Sequence, residues 1–237
     1  MYNMKLIVYH VTSTIFINSI KEHGLIGIDI RHKLPKLSEA MSEIIDTLDR
    51  NYADLGCDWG EAIGFRANCQ RMADSKYKNQ SGMDYEYGSV YVTSSKSRIS
   101  IYNSYEFGSE LITYFFKLYQ CLYQKHRDKS KAEFDSKYPE LIKIISIENK
   151  GNLVLKAEVD TSDLMTDTGK ILNEEDIKSI QFMQKACNGD VQRSYRMSRT
   201  LRPDEIEIMT LDEETFKSVG KLSEYKIPST WTQVEIV

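Results

Sequence analysis

The sequence predicts an α+β fold, and three observations carry that expectation. The amino end holds a short apolar run rich in β-branched and aromatic residues, Leu6-Ile7-Val8-Tyr9. The middle of the chain places apolar residues at helical spacing over long stretches, and the last third turns to strand-like alternation at Leu153–Val159 and Glu205–Leu211. The order of strand, helices, strand, helix and then mostly strands fits an α+β arrangement better than regular βαβ repetition. At 237 residues the chain is read as one domain, 1–237, with a helical insertion at about 34–80.

Taken in order, Leu6 to Tyr9 is a buried strand. Ser13 or Thr14 caps a helix that runs to His23, with Ile17, Ile20 and Leu25 as its buried stripe and Gly24 at the left-handed C-cap. Leu34 to Leu55 reads helical through Leu37, Met41, Ile44, Ile45 and Leu48 on one face. A further helix is expected over Trp59 to Met72, and a polar loop over Ser75 to Gly82. Val90 to Thr93 is a second strand, followed by a helix over Tyr105 to Lys125 that opens at Ser109-Glu110. The charged stretch Lys125 to Lys137 reads as an exposed helix end or loop. Leu153 to Val159 is a strand closed by Asp160 to Asp163, Ile177 to Cys187 a helix, and Glu205–Leu211 and Trp231–Val237 late strands.

Composition narrows the function classes. Apolar residues make up 41%, enough for a substantial core, and fifteen tyrosines against two tryptophans would suit a ligand groove as well as a core. A net charge of −4 argues against a protein held on nucleic acid chiefly by a basic surface, though not against nucleic acid as a briefly visited substrate. No apolar run suits a signal peptide or a membrane span, so the expectation is a cytoplasmic protein with no membrane partner. The four cysteines, Cys57, Cys69, Cys121 and Cys187, lie far apart without C-x-x-C spacing, and no metal site is expected. G-x-S-x-G, Walker A and G-x-G-x-x-G motifs are all absent, which disfavours serine hydrolases and nucleotide-cradling loops.

The residues that suggest chemistry are dispersed. Tyr9-His10-Val11-Thr12 ends the first strand and leads into the helix closed by Gly24-Leu25. Gly88-Ser89-Val90-Tyr91-Val92-Thr93 carries a tyrosine in the second strand, and Tyr102 follows eleven positions after it. Pro203-Asp204-Glu205 opens a strand in which Glu205 and Glu207 alternate with Ile206 and Ile208, so both acids point to one face and the isoleucines to the core. Each has a plainer role as well: a satisfied strand-end histidine, sheet-packing tyrosines, a half-solvated strand.

Together these motifs resemble the ADP-ribosyltransferase superfamily in its histidine–tyrosine–glutamate form. They are similar to those of poly(ADP-ribose) polymerase catalytic domains, RNA 2′-phosphotransferases and DNA-targeting bacterial toxins. The resemblance implies a split β-sheet core, with NAD as the substrate that is consumed. It implies that His10 hydrogen-bonds the adenosine-side ribose, that Thr12 lies near the riboses, and that Tyr91 and Tyr102 close on the nicotinamide. The polymerases usually have glycine after the histidine, whereas Val11 stands here. Either glutamate could be the catalytic acid. Glu205 fits the glutamate-then-apolar-strand pattern of this branch, and Glu207 fits the Glu-x-Glu arrangement of arginine-modifying transferases, so Glu205 is preferred.

The chemistry suits these residue types. Breaking the nicotinamide–ribose bond builds an oxocarbenium-like centre, which a carboxylate stabilises, while aromatic rings clamp a cationic planar ring. The resemblance implies a mono-ADP-ribosyltransferase acting on an intracellular macromolecule, nucleic acid or protein, in a toxin–antitoxin or phage-defence setting with an antitoxin protein as a further partner. Two alternatives stay open: an RNA 2′-phosphotransferase-like NAD-consuming enzyme, and a binding module of the same fold without turnover.

Overall fold

A computed structural model describes residues 4–27, 30–52, 63–74, 88–102, 107–125, 129–146, 151–191, 193–211 and 216–228. The protein is mixed α+β, with one seven-stranded sheet in the order β4-β5-β2-β1-β3-β6-β7 and every neighbouring pair antiparallel. The strands are β1 (Lys5–Ser13), β2 (Tyr91–Thr93), β3 (Asn152–Asp160), β4 (Leu164–Met165), β5 (Ser194–Met197), β6 (Ile206–Leu211) and β7 (Phe216–Lys221). The helices are α1 (Ile17–His23), α2 (Ile30–Lys33), α3 (Leu37–Tyr52), α4 (Ile63–Ala73), α5 (Lys96–Tyr102), α6 (Glu110–Lys125), α7 (Lys129–Lys137), α8 (Pro139–Ile144) and α9 (Glu174–Ala186).

β1 runs past the apolar tetrapeptide because β3 pairs with it throughout, from Lys5 opposite Asp160 to Ser13 opposite Asn152. His10 and Thr12 therefore lie inside the strand, where the sequence reading had placed the motif at its end. Ser13 then accepts the Ile15 N–H and turns the chain into a short 3-10 segment, Thr14–Phe16, and α1. Gly24 closes α1 at φ 78°, a backbone region open mainly to glycine.

Two large apolar clusters make up most of the core, and a small third one joins Tyr9, Ile99, Val154 and Met209. One large cluster lies on the face of the sheet covered by α1 and α9, where Leu6, Val8, Val92, Leu155 and Ile208 meet Ile17, Ile20 and Ile180. The other is helical. Leu37, Met41, Ile44, Ile45 and Leu48 of α3, all no more than 1% exposed, pack against Ile112, Phe115, Leu118 and Leu122 of α6. The expected insertion at about 34–80 thus shares its core with helices from the later interval between β2 and β3. One of these is α7, in the stretch read as solvated: Phe134 anchors it at 3% exposure, beside Tyr138.

Other expectations shift in detail. The helix expected from Tyr105 begins at Glu110, and Phe107 and Gly108 instead form a bend packed on β1. The helix read from Ile177 starts three residues earlier, where Asn173 and Asp176 form a reciprocal capping box. Glu205 belongs to a 3-10 turn, Pro203–Glu205, and not to the strand; the Glu205 N–H returns to the Arg202 carbonyl, and β6 begins at Ile206. Trp59 at the start of one expected helix, the loop Ser75 to Gly82 and the strand Trp231–Val237 fall outside the described residues.

Candidate functional site

Cross-strand register sorts the candidate residues onto faces, because residues paired across an antiparallel ladder project to the same side. One row runs Ser194–Thr93–Tyr9–Lys156–Glu207–Lys221 across six strands. The adjacent row, on the opposite face, contains Tyr195, Val92, His10, Leu155 and Ile208. His10 and Thr12 therefore project toward the α1 and α9 side, and Glu207 toward the other.

His10 marks the thinnest junction in the sheet. Where a split core was expected, all seven strands belong to one sheet, but β1 and β2 are registered through Tyr9 opposite Thr93 alone among the described residues. Beyond that pair the Tyr91 carbonyl turns to the histidine ring, and Nδ1 lies 2.8 Å from it. A carbonyl only accepts, so Nδ1 carries the proton and Nε2 is left as an acceptor. Burial lowers the His10 pKa below the ordinary histidine value and outweighs the opposing effect of this hydrogen bond. The ring is neutral at physiological pH.

His10 also meets the segment that leads to Glu205. A cavity of about 10 Å³ is lined by His10, Val92, Leu25, Leu201 and Ile206, among others. That is room for no more than one water, so it is a packing gap and not a ligand seat. Its lining nevertheless joins three separate motifs. Leu25 follows the C-cap glycine of α1 and exchanges backbone hydrogen bonds with Leu201 at 2.8 and 3.2 Å. Ile206 directly follows Glu205. The turn bearing Glu205 also packs against α1.

The two glutamates have different surroundings. Glu205 Oε1 and Oε2 accept from Arg199 Nη2 and Nη1 at 2.9 and 3.0 Å, and Oε2 also accepts the Arg202 N–H at 2.8 Å. Arg199 holds the Glu205 pKa below the usual carboxylate range, with the Arg202 backbone adding to the effect, so Glu205 is anionic at neutral pH. Glu207 pairs with Lys156 at 2.9 Å and stands beside Tyr9, whose pKa is raised by burial first and then by Asp190 and Glu207.

The tyrosines lie on consecutive elements. Tyr91 opens β2 opposite Arg196, and by alternation with Val92 its side chain projects to the Tyr9 and Glu207 side. Tyr102 is the last residue of α5. That helix is fixed at its start by Asp190. Burial alone would raise the Asp190 pKa, but hydrogen bonds from Ser95, Ser97 and the Lys96 and Ser97 backbone hold it low. At the far end of β1, the Thr12 carbonyl packs against Gly108, where an added Cβ would stand 2.1 Å away.

The structure thus brings His10, the Tyr91 backbone and the Glu205 segment together, and separates both Glu207 and the Tyr91 side chain from His10 by the thickness of the sheet. Sequence reasoning missed Arg199 as the partner of Glu205, because no local spacing marks the pair. Among the described residues no cluster of three histidine, cysteine or acidic side chains could hold a metal ion, and no helix is long and apolar enough to cross a membrane. Comparison with protein-family models, curated proteins and solved structures finds no match.

Proposed function

We propose that the protein is an NAD-dependent mono-ADP-ribosyltransferase with an intracellular macromolecule, nucleic acid or protein, as acceptor. The observation that carries this reading is the packing of His10 beside Ile206, which brings the histidine motif next to the residue after Glu205. The Tyr91 carbonyl contact ties the second strand of the pattern to the same place. The α+β fold with one antiparallel sheet is compatible with an ADP-ribosyltransferase-like core.

The residue chemistry follows from the protonation states. His10, with Nε2 as acceptor, takes a hydrogen bond from a ribose hydroxyl, and Thr12 stands two residues further along the same face. Tyr102 is the candidate for enclosing nicotinamide; Tyr91, whose side chain projects to the other side of the sheet from His10, meets this site through its backbone carbonyl. Glu205 supplies a fixed negative charge beside the reacting sugar. The bond between C1′ and the nicotinamide nitrogen breaks, and nicotinamide leaves with the electron pair. The resulting cationic centre is captured by an acceptor nucleophile that gives up its proton. A toxin or phage-defence role, an antitoxin partner and a cytoplasmic setting accompany this reading as expectations of the same resemblance.

A binding module without turnover is the second reading, and it rests on one observation: both candidate carboxylates are ion-paired. No observation among the described residues favours the RNA 2′-phosphotransferase-like alternative. The deciding experiment incubates the protein with labelled NAD and cell lysate. Label transferred to nuclease- or protease-sensitive material supports the transferase and identifies the acceptor class. A folded protein that neither binds NAD nor releases nicotinamide supports the binding module.

A further inference from the structure

We infer that Arg199 is the positioning residue of Glu205, setting the plane of its carboxylate for contact with the ribose; this rests on the transferase reading of Glu205. Arg199 lies in the connection from β5 to the Pro203–Glu205 turn. Its Nε donates to Asp163 Oδ2 at 2.8 Å, Nη1 to the Thr200 carbonyl at 2.9 Å, and Nη1 and Nη2 together to the two Glu205 oxygens. Four of its five N–H groups are thereby assigned.

Exposed ion pairs generally contribute little, because two long side chains must be ordered in water. This one differs in three ways. The Arg199–Glu205 contact is bidentate, which fixes the carboxylate plane as a single contact cannot. The guanidinium is itself anchored at Asp163, in the turn that follows β3. The connection is pinned to that same turn by Ser198, whose N–H and Oγ both donate to the Asp163 carbonyl, at 2.9 and 3.0 Å. Three donors reach the Glu205 oxygens from Arg199 and the Arg202 N–H, and the single bond on Oε1 leaves that oxygen able to accept a sugar hydroxyl.

Charged groups around the turn are few. Arg199, Arg202, Asp204 and Asp163 surround it directly, α1 carries Lys21, Glu22 and His23, and the neighbouring Leu222–Glu224 turn carries Glu224. Arg199 is the cation that dominates Glu205.

The test measures nicotinamide release from NAD against pH for the native chain, Arg199→Gln, Arg199→Lys, Asp163→Asn and Glu205→Gln, with thermal unfolding of each. Arg199→Gln is expected to lower kcat about 10- to 100-fold, the scale of a small misplacement of a reacting group, with KM for NAD within about twofold. Its acid limb moves to higher pH, because Glu205 has lost its cation. Arg199→Lys keeps the charge and therefore the acid limb, yet loses kcat with the bidentate geometry. Asp163→Asn falls between the native chain and Arg199→Gln. If Glu205→Gln is inactive while folded Arg199→Gln or Arg199→Lys keeps the native kcat and pH profile, the positioning role is overturned and the transferase reading stands. Native turnover by Glu205→Gln, or no nicotinamide release by the native chain, overturns the reading and the positioning role with it.

Discussion

Gly24 and Leu201 meet so closely that a Cβ on Gly24 would lie 2.0 Å from the Leu201 carbonyl oxygen. The contact links the end of α1 to the connection that carries Arg199 and Glu205, and Leu25 and Leu201 complete it with paired backbone hydrogen bonds. Gly24→Ala is expected to destabilise the protein by about 1–3 kcal/mol, because its backbone conformation (φ 78°, ψ −170°) is open essentially to glycine alone, with the clash adding to it. Urea unfolding measures the loss, and amide exchange at Leu25 should accelerate. An unchanged midpoint would show that the contact relaxes freely.

His10 makes stability depend on pH. Its folded pKa lies below the ordinary value of about 6.5, so the unfolded chain takes up the proton first as pH falls. The contribution is fully present above that ordinary value and is lost as pH drops through the lowered folded value. Native protein should therefore lose stability as pH falls below about 6.5, and His10→Gln should lose less over the same interval. Equal slopes in chemical denaturation would contradict burial of a neutral ring.

Asp190 holds the start of α5, the helix that ends at Tyr102. Asp190→Ala removes the carboxylate that faces Ser95, Ser97 and the first backbone N–H groups of α5. A cost of about 0.5–2 kcal/mol is expected, as for other lost helix caps. If Tyr102 serves NAD, affinity for NAD should weaken as well, which calorimetry would read.

The helical core should respond as a packed interior. Leu118 is fully buried among α3 and α6 residues, and Leu118→Ala is expected to cost about 2–5 kcal/mol. A loss below about 1 kcal/mol in denaturant titration would mean that this core collapses around the cavity.

The long periodic elements were legible because burial and period agree. Leu37 to Leu48 repeats at helical spacing and is buried at those same positions, and Leu153 to Val159 sits centrally in the sheet with neighbours on both sides. β5 and β7 were not legible: Ser194-Tyr195-Arg196-Met197 is short and polar, and Phe216 to Lys221 is an edge strand with lysine, serine and glycine. Ladder pairing, not local propensity, makes them strands. The site was legible in its residue types but not in its geometry. Alternation made Glu205 and Glu207 equivalent until the 3-10 turn removed Glu205 from the ladder. Arg199 reaches Glu205 through a loop whose path depends on Asp163 and Leu25, which local spacing does not encode.

The most direct measurement compares NAD cleavage by Glu205→Gln and Glu207→Gln with that of the native chain. Glutamine preserves size and removes the charge. Because Glu205 directly precedes Ile206, which packs beside His10, and Glu207 faces the other side of the sheet, the expected result is nicotinamide release abolished in Glu205→Gln and largely retained in Glu207→Gln. Retained activity in Glu205→Gln with loss in Glu207→Gln would contradict the assignment and move the site to the Tyr9–Lys156 face.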